Sequence, residues 1–288
     1  MSRRATAPEP GLDDLVEQVT GWRPVRRSAL TGGCIAEVIK VELAGGGAVV
    51  AKVANEGGLA IEGFMLDHLR GHGLPVPAVL HCTETVLLIE YVATSGGLSD
   101  GAEAHAAKLL AALHGVRADA FGFERDTVIG ALPQPNPWTP SWRDFFRDQR
   151  LLYMGRLAHE CGRLPAATLA DLERLCARLD GLIHEPAAPA LIHGDVWGGN
   201  VLTRDGRIAA FLDPAIYYAD PEVELAFTTL FATFGRAFFD RYRELRPIAP
   251  GFFETRRDLY NLYPLLVHAA HFGGHYPAAV ARVVARYS

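Results

Sequence analysis

Asp195, Asn200 and Asp213 stand close together in the chain. The first two lie in the run His193-Gly194-Asp195-Val196-Trp197-Gly198-Gly199-Asn200, and the third opens Asp213-Pro214-Ala215. Two carboxylates and a carboxamide are hard oxygen donors. Mg²⁺ is held by such groups, with one or two carboxylates completed by phosphate oxygens. The spacing brings the donors together, because Asp205-Gly206 between apolar segments is a two-residue hairpin signal. With that turn Arg204 lies opposite Arg207, and counting back puts Asn200 opposite Phe211. Asp213 then falls just past the strand end, beside Asn200 and Asp195. An aspartate five residues ahead of a metal-binding asparagine is the spacing used in phosphoryl transfer, where the aspartate accepts a hydroxyl proton. His193 in this run reads as a brace that holds the loop by hydrogen bonds.

A second constellation lies upstream. Lys52 interrupts the apolar run Val49-Val50-Ala51-Lys52-Val53. A buried ammonium is costly without an anion, and Glu62, one helix later, is the partner expected, as in the strand-lysine to helix-glutamate pair of kinases. Thr31-Gly32-Gly33-Cys34-Ile35 precedes the strand before Lys52 and is the candidate loop over phosphates, with Gly32, Gly33 and Cys34 supplying its backbone. Glu90, Tyr91 and Val92 close a later strand and offer main-chain N–H and C=O groups to an adenine edge.

The elements that must position these residues are legible in the patterning. Ile35–Leu43 and Ala48–Ala54 read as strands joined through Gly45-Gly46-Gly47, Leu59–Arg70 as a helix ended by Gly71, and Thr85–Val92 as a further strand. After residue 92 the chain turns helical, with Ala102–Leu113, Trp142–Leu157, Leu169–Ile183, Glu222–Phe234, Arg236–Leu245 and Phe252–His271. Pro133–Pro140, with four prolines in eight residues, reads as a stiff extended loop. This divides the chain into a small β-rich lobe, residues 1–92, and a larger helical lobe, residues 93–288.

Composition excludes several classes. With 49% hydrophobic and 21% charged residues in 288, the chain is an ordinary globular one. A net charge of −5 gives no basic field for nucleic acid. Lysine occurs only at positions 40, 52 and 108, against 25 arginines, so Lys52 is conspicuous. The four cysteines make no metal or CxxC spacing, no apolar run reaches the roughly 18 residues of a membrane span, and the first residues lack a secretory h-region. A cytoplasmic protein without membrane or nucleic-acid partners is expected. His268, His271 and His275 share helical spacing but lack a fourth ligand, so core or substrate-lobe roles are expected of them rather than zinc.

These residues together resemble the fructosamine kinase (ketosamine 3-kinase) family, close to the aminoglycoside phosphotransferases. The likeness runs from Leu30 to Tyr276. It is carried by Thr31–Ile35, Pro133-Gln134 with Asn136, Trp138, Trp142 and Phe145, and His193–Asn200. Asp213-Pro214-Ala215-Ile216-Tyr217-Tyr218, Glu222–Ala226 and His271-Phe272-Gly273 complete it. The resemblance implies an α+β, two-lobed protein-kinase-like fold, with a small antiparallel N-lobe sheet carrying one key helix and a larger, mainly helical C-lobe. It implies ATP- and Mg²⁺-dependent phosphorylation of the 3-hydroxyl of a ketosamine, free or on a glycated protein or amino acid, giving an unstable 3-phosphate and hence deglycation. Asp195 would be the base, Asn200 and Asp213 the metal ligands, and Lys52 with Glu62 the phosphate grip. Trp197 would be an aromatic wall for the sugar, and Glu224 a loop brace where the family more often has Asp. Gly198-Gly199 replaces a more usual Ser-Gly and is expected to loosen the loop. Cys34 beside the phosphate loop is a candidate redox-sensitive thiol. A phosphotransferase for another hydroxylated amine, aminoglycoside- or choline-like, and a non-catalytic nucleotide-binding regulator share parts of this pattern. The amine, the sugar and the oligomeric state are left open.

Overall fold

The computed structural model describes residues 11–30, 36–55 and 57–287. The expected phosphate-loop residues Gly32, Gly33 and Cys34 lie outside the described residues. Two compact units are formed, Met1–Asp67 with Pro77–Val92, and His68–Val76 with Ala93–Ser288. The expected small lobe ran unbroken through residue 92. Residues 68–76 instead group with the second unit, where Pro75 accepts a hydrogen bond from Phe211 N (2.8 Å).

The first unit opens with α1 (Leu12–Thr20), followed by β1 (Pro24–Ala29), β2 (Glu37–Leu43), β3 (Ala48–Val53), α2 (Leu59–Gly71, which from His68 onward belongs to the second unit), β4 (Val79–Cys82) and β5 (Val86–Glu90). The strands form one antiparallel sheet in the order β1-β2-β3-β5-β4. Side chains alternate across a pleated strand, and β3 uses both faces. Val49 and Ala51 join Ile39, Val41 and Leu88 in a core closed by Leu15 and Val16 of α1. Lys52, one residue on from Ala51, points to the opposite face, where Glu62 of α2 meets it.

The second unit contains α3 (Asp100–Leu113), the hairpin of β6 (Thr127–Ile129) and β7 (Leu132–Gln134), α4 (Trp142–Phe145), α5 (Tyr153–Glu160) and α6 (Ala166–Cys176). It continues with β8 (Ala190–Ile192), β9 (Val201–Arg204), β10 (Arg207–Phe211), β11 (Tyr217–Ala219), α7 (Pro221–Leu230) and α8 (Arg236–Leu245). The chain ends in α9 (Arg257–Tyr260), α10 (Leu262–Phe272) and α11 (Tyr276–Tyr287). Ser99 caps α3 by accepting from Ala102 N (3.3 Å). The small residues Ala102, Ala106, Ala107 and Ala111 let α3 seat against α8 and β10.

Several expected elements are divided. The helix anticipated over 252–271 breaks between Tyr260 and Leu262, because Pro264 lacks an N–H and its ring excludes the helical carbonyl of Tyr260. The one over 142–157 contains a π-helical stretch at Phe146–Leu152. The one over 222–234 ends at Leu230, with Ala232 left-handed (φ +50°). The helix read at 169–183 starts earlier, at Ala166, and stops at Cys176, with a separate 3₁₀ turn at Leu179–Gly181. Part of the expected loop 133–140 is strand, Pro133 pairing with Val128.

Candidate active site

Strands β8 and β11 pair antiparallel, with Ile192 opposite Tyr217, so the loops that follow one and precede the other leave the same end. Ala215 N donates to His193 O (2.8 Å) and ties these loops together. The contact requires glycine at 194. Its φ is +88°, and a Cβ there would fall on the carbonyl of Ala215, 2.7 Å from the carbonyl carbon and nearer still to the oxygen. Gly194 N donates to Glu224 Oε1 (2.7 Å), and Asp195 N to His193 Nδ1 (3.3 Å), with His193 fully buried. The segment bearing Asp195 is therefore held by backbone on one side and by two side chains on the other.

The carboxamide of Asn200 reaches back across the 3₁₀ turn Gly198–Asn200, its Nδ2 donating to Asp195 O (3.0 Å) and Asp195 Oδ2 (2.8 Å). With the amide hydrogens directed at Asp195, Oδ1 is the atom of Asn200 suited to a cation. The hairpin turn at Asp205-Gly206 has both residues left-handed (φ +53° and +71°), and Arg204 pairs with Arg207. Phe211, however, pairs with Val201 and not with Asn200. A bulge between Ile208 and Ala210 shifts the register by one, and Leu212 N donates to Asn200 O (2.9 Å) instead. Asp213 follows at φ +51°, an uncommon conformation for a residue with a side chain. Burial and the neighbouring Asp213 push the Asp195 carboxyl up to about 8, against the hydrogen bond from Asn200. Crowded acids with a carboxamide oxygen beside them form a donor set that suits a divalent cation, whose charge would relieve the repulsion.

In the first unit Lys52 Nζ stands 2.5 Å from Glu62 Oε1, with side chains only 10% and 15% exposed. Glu90 closes β5 opposite Val49, and its N–H is engaged by Ala78 O (2.9 Å). Of the three residues expected at an adenine edge, Glu90 thus has its N–H already taken up within the sheet. Tyr91 lies under the Lys40 ammonium (4.4 Å), and Val92 ends the unit.

Trp197 is 40% exposed, and its indole rests on Gly199, where a Cβ would stand 2.6–2.8 Å from Cζ2 and Cζ3. Gly199 is thus the seat of the tryptophan, a tighter role than the loosening expected of it. His268 Nδ1 bonds Pro264 O (2.7 Å) and His271 Nε2 bonds Ile129 O (3.4 Å), which ties one ring to its own helix and the other to the end of β6. Among the described residues, the ligand atoms of His184, Asp220 and Glu222 approach within 4.8 Å of one another, but Arg256 holds Glu222 from both sides (2.6 and 2.8 Å).

Residues that sequence reasoning did not place surround these loops. Gln134 Nε2 donates to Ala215 O (3.1 Å), and its Oε1 accepts from Tyr263 Oη (2.7 Å). Arg150, fully buried, donates to Asn136 Oδ1 (2.5 Å) and lies over the Tyr217 ring (3.9 Å). His114 bonds Glu224 Oε2 (2.8 Å). The Pro133–Asn136 motif was the signal for the first two; nothing in the sequence singled out His114.

Comparison with known proteins agrees with this geometry. The fructosamine kinase family matches residues 13–288. A Synechocystis protein named as a probable ketoamine kinase is 44% identical over 169 residues, 58% of this chain and 56% of that protein. Alignments with relatives named as probable ketoamine kinases from Vibrio parahaemolyticus and Vibrio vulnificus likewise span 52% of those proteins. The chloroplastic protein-ribulosamine 3-kinase of Oryza sativa subsp. japonica is 29% identical, over 99% of this chain and 90% of its own. A crystal structure of a candidate fructosamine-3-kinase from Thermobifida fusca superposes with a TM-score of 0.83 at 32% identity, covering 96% of this chain and 98% of that one. The fold is the α+β protein-kinase-like one. No helix among the described residues is long and apolar enough to cross a membrane. By its sequence along nearly its whole length and by its fold, the chain belongs to the fructosamine kinase family.

Proposed function

We propose that this protein transfers the γ-phosphoryl group of ATP to the 3-hydroxyl of a ketosamine, a fructosamine or ribulosamine adduct of an amine. The observation that carries the reading is the Asp195–Asn200–Asp213 arrangement in a chain of this family, with Asn200 bound to the Asp195 carboxylate at 2.8 Å. Asp195 takes the hydroxyl proton while the hydroxyl oxygen bonds to phosphorus and the bond to the departing ADP oxygen breaks. Asn200 orients Asp195 through its two amide hydrogens and, with Asp213, would hold Mg²⁺. That ion, when bound, supplies neutralisation of phosphate charge. Lys52, fixed by Glu62, serves the phosphates, and the exposed face of Trp197 suits the C–H surface of a sugar. The 3-phosphate is unstable: the C3–O bond breaks with loss of inorganic phosphate, and water then releases the amine from the remaining sugar carbonyl compound, which amounts to deglycation. Cys82, Cys161 and Cys176 are free thiols, which fits a reducing, cytoplasmic setting.

The test is ATP- and Mg²⁺-dependent phosphorylation of fructosyl-lysine and ribulosyl-lysine. Asp195→Asn is expected to lower turnover by about 10²–10⁴. Near-normal turnover in that variant would remove Asp195 from the role of base, and no turnover of either sugar by the parent protein would overturn the substrate class.

A further inference from the structure

Behind the catalytic loop runs a line of buried polar groups. Glu224 of α7 accepts from Gly194 N with Oε1 (2.7 Å) and meets His114 Nε2 with Oε2 (2.8 Å). The other ring nitrogen, Nδ1, meets Tyr242 Oη of α8 at 2.7 Å. His114 is fully buried, as is the Glu224 side chain, and Tyr242 is 1% exposed. Burial holds the Tyr242 phenol well above its ordinary range, so it keeps its proton. The polarity of the line follows. Tyr242 donates to Nδ1, Nε2–H donates to the Glu224 carboxylate, and the second oxygen of that carboxylate is left to receive the Gly194 N–H.

Stability alone does not call for such a line. Replacing both partners of a buried hydrogen bond, or a buried charged group and its partners, by well-packed apolar side chains is often neutral or stabilising. What an apolar substitute cannot do is aim a carboxylate oxygen. Gly194 is the left-handed residue immediately before Asp195, and its N–H direction fixes the His193–Gly194 peptide plane, from which the φ and ψ of Gly194 alone lead to the peptide that carries Asp195. His114 sits at the C-terminal end of α3, and Tyr242 lies in α8. The two helices are packed on one another, so the line ties the orientation of the loop to that helix pair.

We propose that His114 and Tyr242 are positioning residues for phosphoryl transfer, acting through Glu224 on the Gly194 peptide to set the direction of Asp195. The proposal rests on the ketosamine kinase reading for its turnover assay, but not for its structural one.

The experiment compares the full-length protein with His114→Phe, His114→Gln and Tyr242→Phe, well below the melting temperature of each. Turnover of fructosyl-lysine and ribulosyl-lysine is measured with separate KM values for the sugar and for ATP. Hydrogen exchange of the Gly194 and Asp195 amides is followed alongside. His114→Phe is expected to lower kcat by about 10- to 100-fold, the scale of a misaimed catalytic group, with both KM values within about twofold of the parent. His114→Gln keeps a donor facing Glu224 and should recover most of kcat, while Tyr242→Phe should lie between. Gly194 exchange should quicken in the same order. A folded His114→Phe with parental kcat, or with parental protection at Gly194, would overturn the proposal, as would equal losses in the Phe and Gln variants. If His114→Phe does not fold, Tyr242→Phe decides by the same two readouts, since it deletes a single hydroxyl. If the parent turns over no ketosamine, the substrate reading falls, and exchange at Gly194 alone supports or overturns the positioning line.

Discussion

Gly194→Ala is the smallest change that should disable the proposed catalytic loop, and the structure sets its size. The residue is held at φ +88°, a conformation that costs an L-residue about 1–2 kcal/mol. The new methyl would lie 2.7 Å from the carbonyl carbon of Ala215, closer to its oxygen, and 3.2 Å from its Cβ. Non-bonded carbons settle at about 3.5–4.0 Å, so the two loops must part by about 1 Å. Neither side yields easily. Ala215 is tied to His193 O through its N–H and to Gln134 through its carbonyl, and Gly194 is tied to Glu224. The separation therefore passes to Asp195, one residue on, and to Asp213, two residues before Ala215. Misplacement by 1 Å in a catalytic array costs about 10² in rate. Stability should fall as well, by about 1–3 kcal/mol for forcing a methyl into packed backbone together with the conformational cost. The assay is kcat at saturating ATP and ketosamine, paired with urea unfolding so that turnover is expressed per folded molecule. Turnover within about threefold of the parent in a folded Gly194→Ala protein would refute the reasoning, since 1 Å of displacement leaves no room for it.

Other substitutions read other parts of the site. Gly199→Ala meets the Trp197 indole and not backbone, so the ring should swing away. A rise in the ketosamine KM and altered tryptophan emission are expected, with kcat falling less than about tenfold. Glu62→Gln removes the carboxylate 2.5 Å from the Lys52 ammonium. Breaking a buried pair costs about 3–5 kcal/mol, so the urea midpoint should drop and the KM for ATP should rise, while the ketosamine KM stays put. Asp220 is buried under Tyr260 Oη (2.7 Å), and burial pushes its carboxyl up to about 7. The native state then keeps a proton that the unfolded chain releases near pH 4, so this group's contribution to stability declines as pH rises from about 4 to about 7. Asp220→Asn keeps one oxygen to accept from Glu222 N and turns an NH₂ toward Tyr260 Oη, which can accept in place of donating; it should flatten that decline, which urea midpoints at pH 5 and pH 8 would show, and an unchanged difference between the two pH values would contradict it.

What the sequence disclosed and what it hid divide along a physical line. The Asp205-Gly206 turn was legible because only a few residues tolerate two consecutive left-handed positions, and Lys52 because a charge inside an apolar strand demands an anion nearby. Both signals are local, or nearly so. The register of the hairpin escaped by one residue, since a bulge at Ala209 leaves no mark in an apolar run. The broken helix at Tyr260 was visible in Pro264 once its clash with the fourth preceding carbonyl is considered. The boundary near residue 68 was hidden, because α2 continues through it without change of pattern.

The concealed part of the site consists of groups that act on backbone. Gln134 meets the carbonyl of Ala215, Thr127 Oγ1 that of Ile216 (3.3 Å), and Glu224 the N–H of Gly194. A side chain that bonds a peptide group leaves no complementary residue type at the other end, so no pair of letters betrays the contact. His114 shows the consequence most sharply. By type it reads as one histidine among eleven, yet 110 residues separate it from the carboxylate it holds. Catalytic groups are legible because their chemistry restricts their identity. The groups that aim them are restricted only by where the fold puts a peptide plane, and that becomes visible only when the chain is folded.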